Sequence, residues 1–442
     1  LVNGTPDAAT RDIIKFDIPD DSPKTIHVGD GGLPFITDPV FIDGTTQPGF
    51  DSDTHMPIIE INASGAGSNQ IGFFAAGLEI LGGNSVVKGL AINRAPGDGI
   101  RLRVGGGNTI VGNFIGTDVT GTASDSYANR DQGILVLNSA DNQIGRAGNG
   151  EGNLISGNRF EGITILGGGS TGNRVQGNLI GTDITGKVGL GNGTEGILIS
   201  ALVGASDYAS DNLIGGSEPD QGNVISGNKF AGVLILRGAH NRALGNLIGT
   251  NSGGTGALGN GLDGVLVEDA PDTQIGGLGL NDSNVISANR HGIAIVGSGA
   301  VRTLIEQNLI GTDLTGELDF GNRENGIFIG LDSSLSGYGG LNPVTPPVEG
   351  APSDSTIGGI TTAARNLISG NDRDGVHIEA GAIKTSILGN FIGLTLSGEK
   401  ALGNTGDGVA ILDSPDNIVG GMKDSTANLT VAGNLISANR GN

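Results

Sequence analysis

The stretches Asn178-Leu-Ile-Gly-Thr-Asp183, Asn223-Val-Ile-Ser-Gly-Asn228 and Gly232-Val-Leu-Ile235 contain three short motifs that recur along the chain. The Asn-x-Ile-Gly motif occurs at Asn113, Asn178, Asn246, Asn308 and Asn390. A second motif, Asn-x-Ile-Ser followed by Gly or Ala and then Asn, alternates with it at Asn153, Asn223, Asn284, Asn366 and Asn434. Self-similarity at a nearly fixed period is typical of repeat proteins, in which each unit packs only on its neighbours.

The third motif, Gly-(Ile/Val)-x-(Ile/Val), occurs ten times, starting at Gly99, Gly133, Gly162, Gly196, Gly232, Gly264, Gly292, Gly326, Gly375 and Gly408. Most intervals also hold a further aliphatic run, such as Asn173-Arg-Val175. Each unit is therefore three short strands joined by Gly, Asn and Asp turns, without helical periodicity. One unit cannot bury its own apolar face. Stacking the units predicts an all-β, right-handed parallel β-helix of about ten or more three-stranded rungs.

Alternation within the third motif assigns inward and outward positions. The residues predicted to point inward after the glycine are Ile100, Ile134, Ile163, Ile197, Val233, Val265, Ile293, Ile327, Val376 and Val409. Turns between the strands of a β-helix often need positive φ, which glycine accepts freely. The recurrent asparagines are expected to stack into a hydrogen-bonded ladder, and sugar binding is the alternative for them.

Composition and charge exclude several classes of protein. The 442 residues include 84 Gly but no Trp and no Cys, so disulfide frameworks and thiol chemistry are excluded. No apolar run is long enough to span a membrane. The formal net charge of −22 repels phosphate backbones and anionic lipid headgroups. We therefore expect no nucleic-acid partner and no membrane insertion, whereas neutral sugars and cations are not disfavoured.

The repeat also divides the chain. Residues 1–98 fit it poorly, and we interpret them as a strand-rich N-terminal cap with irregular first rungs. Residues 99–442 form the repeats of a single solenoid domain, with a Pro- and Gly-rich inserted loop at 331–352. The last residues stop within a repeat without a polar cap. We therefore expect a part of a longer protein, or a rod whose end or side contacts another protein chain.

The alternating motifs, and the opening block Ile36-Thr-Asp-Pro-Val-Phe-Ile-Asp-Gly-Thr-Thr-Gln-Pro-Gly49, resemble the parallel β-helix repeats of bacterial extracellular and cell-surface proteins. These proteins belong to the broad superfamily that includes the pectate lyases. The resemblance covers nearly the whole chain and implies the fold and an extracellular or cell-surface location. It leaves the activity open, because such relatives include adhesins and carbohydrate-binding modules alongside lyases and glycosidases.

Two rows of residues flank the third motif. The row pointing outward from the strand is mostly apolar, so we expect the following loops to cover it, with a protein contact or sugar platform as alternatives. The row before the turn glycine is acidic, and it places Glu161 and Glu195 on adjacent rungs. The pair is interpreted as solvated turn acids, as a calcium site or, least, as a catalytic carboxyl pair. No cofactor is required, and Ca²⁺ is the one candidate.

The densest chemical group follows the inserted loop and comprises Asp374, His377, Glu379 and Asp407. If the protein is an enzyme, these are the predicted catalytic residues, with an acid pair and His377 as the general base. The alternative, which we favour, is that His377 and Glu379 are ordinary exposed strand residues. The remaining histidines, including His240 and His291, are dispersed, and none pairs with another at metal-ligand spacing.

Two functions follow. The favoured one is an extracellular β-helix module that acts as a rigid adhesive, a scaffold or a carbohydrate-binding element of a surface protein. The alternative is a secreted polysaccharide lyase or glycoside hydrolase that acts on a polysaccharide along one face of the solenoid. A polysaccharide or cell-surface glycan is the expected partner under both hypotheses.

Overall fold

The computed structural model describes residues 11–19, 23–67, 74–202, 206–331, 350–421 and 433–441. In these ranges the chain forms three sheets in which every strand pairs in parallel with its equivalent one rung along, and it forms no α-helix. Within the described ranges, short 3₁₀ turns lie at Gly44–Thr46 and Thr362–Ala364. The right-handed parallel β-helix predicted from the repeat is confirmed. No helix in the described ranges is long and apolar enough to cross a membrane.

The strands follow one another in the order A, B, C around each rung of the repeat. Sheet A contains β1 (Asp12–Lys15), β3 (Val40–Asp43), β6 (Val86–Lys88), β9 (Thr109–Val111), β12 (Gln143–Ile144), β15 (Arg174–Val175), β18 (Leu213–Gly215), β21 (Arg242–Leu244), β24 (Gln274–Gly276), β27 (Leu304–Glu306), β30 (Thr356–Gly358), β33 (Ser386–Leu388) and β36 (Ile418–Val419). Sheet B contains β2 (Lys24–His27), β4 (Ile59–Asn62), β7 (Leu90–Asn93), β10 (Phe114–Ile115), β13 (Leu154–Ile155), β16 (Leu179–Ile180), β19 (Val224–Ile225), β22 (Leu247–Ile248), β25 (Val285–Ile286), β28 (Leu309–Ile310), β31 (Leu367–Ile368), β34 (Phe391–Ile392) and β37 (Leu435–Ile436). Sheet C contains β5 (Leu78–Ile80), β8 (Ile100–Arg103), β11 (Ile134–Leu137), β14 (Ile163–Leu166), β17 (Ile197–Ser200), β20 (Val233–Leu236), β23 (Val265–Glu268), β26 (Ile293–Val296), β29 (Ile327–Gly330), β32 (Val376–Ile378) and β35 (Val409–Ile411).

The opening residues already contribute to these sheets. Sheets A and B begin at Asp12 and Lys24, and sheet C begins at Leu78. Strands before residue 98 therefore pair in register with the repeats that follow. The predicted loop 331–352 falls mostly outside the described residues, which resume at residue 350.

Aliphatic side chains fill the tube as the alternation predicts. The ten predicted inward residues lie in one register, and all of them from Ile100 to Val376 have no exposed surface. Only Val409, in the last strand of sheet C, is partly exposed. One continuous aliphatic cluster runs from Val28 to Ile392. Burial of this continuous apolar surface is the main stabilising contribution to the fold.

Asparagine side chains stack along three corners of the tube. In each ladder, the backbone N–H and the side-chain Nδ2 of one Asn donate to Oδ1 of the Asn one rung further on. The first ladder is Asn108, Asn142, Asn173, Asn212 and Asn241. The second joins both sequence motifs and runs through Asn113, Asn153, Asn178, Asn223, Asn246, Asn284, Asn308, Asn366, Asn390 and Asn434. The third is Asn129, Asn158, Asn192, Asn228, Asn260, Asn289, Asn322, Asn371, Asn404 and Asn439. The predicted structural role of these asparagines is confirmed.

The outer face of sheet B is covered by loops that occur on every second rung. Each loop follows an Asn-x-Ile-Gly motif, and its backbone joins the preceding loop, as in Ile184 N to Gly121 O at 3.0 Å and Leu314 N to Gly254 O at 2.9 Å. Asp183 closes its own loop by accepting from the amides of Lys187 and Val188. Apolar side chains of sheet B, such as Leu154, pack beneath these loops.

Candidate functional site

The outer face of sheet C carries most of the residues that the sequence predicts to be functional. Its first rungs contain a buried ion cluster. Arg101 Nε lies 2.6 Å from Asp98 Oδ2, and Arg101 Nη1 lies 3.2 Å from Glu79 Oε2, with all three side chains at most 4% exposed. Burial raises the pKa of Asp98 to about 7, although Arg101 opposes that rise. At this end of the face, the buried charged groups therefore contact one another.

The middle of the same face is apolar and buried. Leu234, Leu266, Ala294 and Phe328 are at most 7% exposed, and they form one cluster with side chains from the rows on either side. The middle of the outward row is therefore buried, in line with the expectation that this apolar row is covered. Apolar side chains on neighbouring rungs therefore pack against one another along the middle of this face.

Glu161 and Glu195 lie on adjacent rungs as predicted, but neither is solvated. Each is only 7% exposed, so the interpretation as solvated turn acids is wrong for this pair. Glu161 accepts hydrogen bonds from Gln132 Nε2 at 2.9 Å and from Thr164 Oγ1 at 3.3 Å. Burial, together with the neighbouring Glu161 charge, raises the pKa of Glu195 to about 7. The sequence indicated the proximity but could not show the burial.

This pair predicts a stability that falls as the pH rises. Because the folded-state pKa of Glu195 lies above its unfolded value, the folded protein holds the extra proton between about pH 4.5 and 7. The stability contributed by this proton is therefore fully present below about pH 4.5 and is lost as the pH rises to about 7. We expect Glu195→Gln to be more stable than wild type at pH 8 by on the order of 2 kcal/mol, with little difference at pH 4, in urea unfolding.

The exposed Glu399→Gln change is the matched control and should leave this profile unaltered. Glu195→Gln also tests the predicted calcium site. If Ca²⁺ bridges Glu161 and Glu195, added calcium will stabilise the wild type and not Glu195→Gln, since a ligand stabilises the state that binds it. A wild-type pH profile identical to that of Glu195→Gln would contradict the raised pKa.

The far end of the face contains the predicted group around His377. Asp374 Oδ2 lies 2.7 Å from His377 Nδ1, and Glu379 Oε2 lies 3.3 Å from His377 Nε2. Asp374 Oδ1 also accepts the backbone N–H of Asp407 at 2.6 Å. The structure thus brings the four predicted residues together. Because each ring nitrogen contacts a carboxylate oxygen, a substrate proton could reach His377 only after one contact is broken.

A stack of three rings connects this group to the apolar row. The Phe328 ring lies between His291 and His377, with centroid distances of 5.0 and 5.9 Å and interplanar angles of 17° and 13°. His291 Nδ1 accepts the backbone N–H of Asn325, so its proton is placed on Nε2, which faces Glu324 at 3.4 Å. Sequence spacing treated His291 as dispersed, although its motif position places it two rungs before His377. The stack fixes the His377 ring against the sheet.

The outer face of sheet A is the more open one, and sequence reasoning missed it. Asp211, His240, Arg242, Asp272 and Gln274 line a cleft of about 460 Å³. The His240 ring lies 3.7 Å from both Asp211 Oδ1 and Asp272 Oδ2, and its side chain is 62% exposed. The available signal was the Asn ladder, because Asp211 and His240 directly precede the ladder residues Asn212 and Asn241.

Among the described residues, no group of three or more His, Asp or Glu side chains is placed to hold a metal ion. The residues that could contact a cation remain the predicted pair Glu161 and Glu195, which supplies two carboxylates only. A calcium ion prefers six or more oxygen ligands, so this pair would need further oxygens from water or ligand.

No family model matches the chain, and no curated protein is significantly similar to it. Among solved structures, the chain is similar to the Dettilon tailspike protein, with 13% identity, a TM-score of 0.45 and coverage of 88% of this chain and 61% of the tailspike. It is also similar to the A-module of the Azotobacter vinelandii mannuronan C-5 epimerase AlgE6, with 14% identity, a TM-score of 0.41 and coverage of 98% and 92%. A PL6-family polysaccharide lyase from Pseudopedobacter saltans gives 13% identity, a TM-score of 0.41 and coverage of 95% and 87%. These likenesses assign no role to any residue.

Proposed function

We propose that this protein is a rigid, non-catalytic β-helix module that acts outside the cell as a scaffold or adhesive and binds a glycan on the outer face of sheet A. The observation that carries the proposal is the difference between the three outer faces. Loops cover sheet B, buried side chains fill the middle of sheet C, and sheet A presents exposed polar groups around a cleft.

Rigidity is supported by the way the rungs are joined. Ladders of buried asparagines connect successive rungs at three corners, in addition to the backbone pairing of the sheets. Bending the tube would break buried hydrogen bonds that water cannot replace. A stiff rod of this kind suits a protein that holds a binding face at a fixed distance from a surface.

A non-catalytic role is supported by the contacts of His377. The predicted general base is held at both ring nitrogens by Asp374 and Glu379, and the rungs next to it bury Phe328 and Ala294. A catalytic base needs a free position within hydrogen-bonding reach of the substrate proton. The present geometry supplies this position only after the carboxylate contacts rearrange.

The test is a turnover and binding assay on a panel of neutral and acidic polysaccharides. We expect retardation of the protein by at least one polymer in affinity electrophoresis. We also expect no unsaturated chain ends and no new reducing ends, with His377→Ala indistinguishable from wild type. Cleavage that His377→Ala and Asp374→Asn both abolish would overturn the non-catalytic proposal.

The second candidate is a secreted polysaccharide lyase or glycoside hydrolase. The specific observation that favours it is the hydrogen-bonded chain Asp374–His377–Glu379 on an outer face, with Asp407 beside it. Under this hypothesis His377 would act as the base and the acids would orient it. The same assay separates the two candidates, because only the enzyme loses cleavage with His377→Ala.

A further inference from the structure

One row of side chains crosses the open face of sheet A at one residue per rung. The strand register places Gln143, Arg174, Leu213, Arg242 and Gln274 next to one another in this order. Arg174 and Arg242 are exposed and stand two rungs apart, which corresponds to about 10 Å. Both therefore present guanidinium groups on the same face, with one rung between them.

Neither arginine has an acidic partner among the described residues, although the chain carries an excess of acids. Several other arginines in the described ranges pair with an acid, as in Arg302 with Asp272 at 2.7 Å and Arg290 with Asp263 at 2.7 Å. A guanidinium group recognises carboxylate and sulfate oxygens through parallel N–H donors, which an ammonium group cannot do. Two such exposed groups on one row of the open face are placed to bind a ligand that carries the anions, in a protein whose own net charge is −22.

The neighbouring turn row differs between the rungs that carry these arginines and the rung between them. On the rungs of Arg174 and Arg242, the turn residue two positions earlier is Gly172 or His240, so these rungs hold no turn acid. Asp211 lies on the rung between them and points its carboxylate oxygens to solvent at 63% exposure. Cationic rungs thus alternate with a rung that accepts hydrogen bonds from hydroxyl groups.

We propose that this strip, defined by Arg174, Asp211, His240 and Arg242, binds an acidic polysaccharide that presents one anionic group in every two sugars to the protein. The two arginines bind successive carboxylate or sulfate groups, and Asp211 accepts hydroxyl groups of the sugar between them. The spacing of two rungs is similar to the disaccharide repeat of an extended polysaccharide. This inference rests on the proposed glycan-binding function and names its ligand class and site.

The overall negative charge sets the conditions for the test. At low salt, remote carboxylates repel an anionic polymer over a long range, whereas at about 0.15 M ionic strength the screening length falls to roughly 8 Å. Direct contacts with the guanidinium groups lie within that distance. Binding is therefore expected to be strongest near physiological salt and to weaken both well below and well above it.

The experiment is a calorimetric titration at this ionic strength. The probes are a hyaluronan octasaccharide, with one carboxylate per disaccharide, a sulfated chondroitin oligosaccharide, and neutral cello-oligosaccharide. Arg174→Gln and Arg242→Gln are each expected to weaken binding of the acidic probes about 3- to 10-fold, and the double variant at least 30-fold. Arg373→Gln, an exposed arginine off this strip, is the matched control and should leave binding unchanged. The hyaluronan and chondroitin arms distinguish carboxylate from sulfate.

Each outcome is decisive. Loss of acidic-probe binding in the double variant, with native circular dichroism, supports the assignment. Tight binding of the neutral probe that the double variant retains would overturn the acidic ligand and leave the proposed glycan-binding function intact. If none of the three probes binds, or if the two arginine substitutions together leave binding of the acidic probes unchanged, the assignment of the site to this strip is wrong. Only the absence of binding to every probe and to the wider polysaccharide panel would also contradict the proposed function.

Discussion

Replacing Asn246 by alanine is expected to lower the free energy of unfolding by about 3 to 5 kcal/mol. Asn246 has no exposed surface. Its Oδ1 accepts from the backbone N–H and Nδ2 of Asn223, and its Nδ2 donates to Ile214 O, Leu244 O and Asn284 Oδ1, at distances between 2.9 and 3.1 Å. Alanine leaves several of these buried groups without a partner and opens a small cavity.

Urea unfolding followed by far-ultraviolet circular dichroism measures the loss. Asn246→Asp should destabilise the protein at least as much at neutral pH, although its shape is unchanged, because its carboxylate replaces an N–H donor opposite three acceptors. Asn281→Ala, at an exposed asparagine outside the ladders, should cost less than about 0.5 kcal/mol. If Asn246→Ala lowers the free energy of unfolding by no more than about 1 kcal/mol beyond the Asn281→Ala control, the ladder hydrogen bonds do not contribute the expected stability.

The fold could be predicted from sequence because each rung repeats the same physical solution. The inward residues Ile163 and Val233 and the ladder residues Asn178 and Asn223 recur at fixed offsets, so parallel stacking satisfies apolar and polar requirements at once. One misfit shows the limit of this reasoning. At residues 273, 303, 355 and 385, Thr and Ser occupy the positions of the first Asn ladder, before Asn returns at 417, and the hydroxyl of Thr303 is buried without a hydrogen-bond partner.

The candidate site was predicted only in part, because sequence spacing gives proximity and not exposure. The register places Glu161 beside Glu195 and Asp374 beside Asp407, and both proximities could be inferred. Burial of Glu195 depends on the side chains in the neighbouring rows that pack around this turn. The sequence of a single motif does not determine that packing. The strip on sheet A was missed because Arg174 and Arg242 occupy variable positions between constant ones.

Replacing Arg101 by methionine is expected to lower the free energy of unfolding by about 3 to 5 kcal/mol at pH 8. The change keeps the length of the aliphatic stem and leaves the buried carboxyl groups of Asp98 and Glu79 without the guanidinium that contacts both. The pKa of Asp98 is already raised to about 7 by burial, with Arg101 opposing the rise. Losing Arg101 therefore raises it further, and Asp98 takes up a proton in the folded state over a wider pH range.

The sign of the pH dependence follows from this uptake. Between the unfolded pKa near 4 and the raised folded pKa, the folded protein binds more protons, so stability falls as the pH rises. We expect the penalty of Arg101→Met to shrink markedly at pH 5, where the Asp98 carboxyl is protonated. Arg103→Met is the matched control, because the Arg103 side chain is 21% exposed and contacts Glu79 at 2.9 Å. It should cost about 1 kcal/mol. An equal loss for Arg101→Met at pH 5 and pH 8 would attribute the effect to packing and not to the unpaired charges.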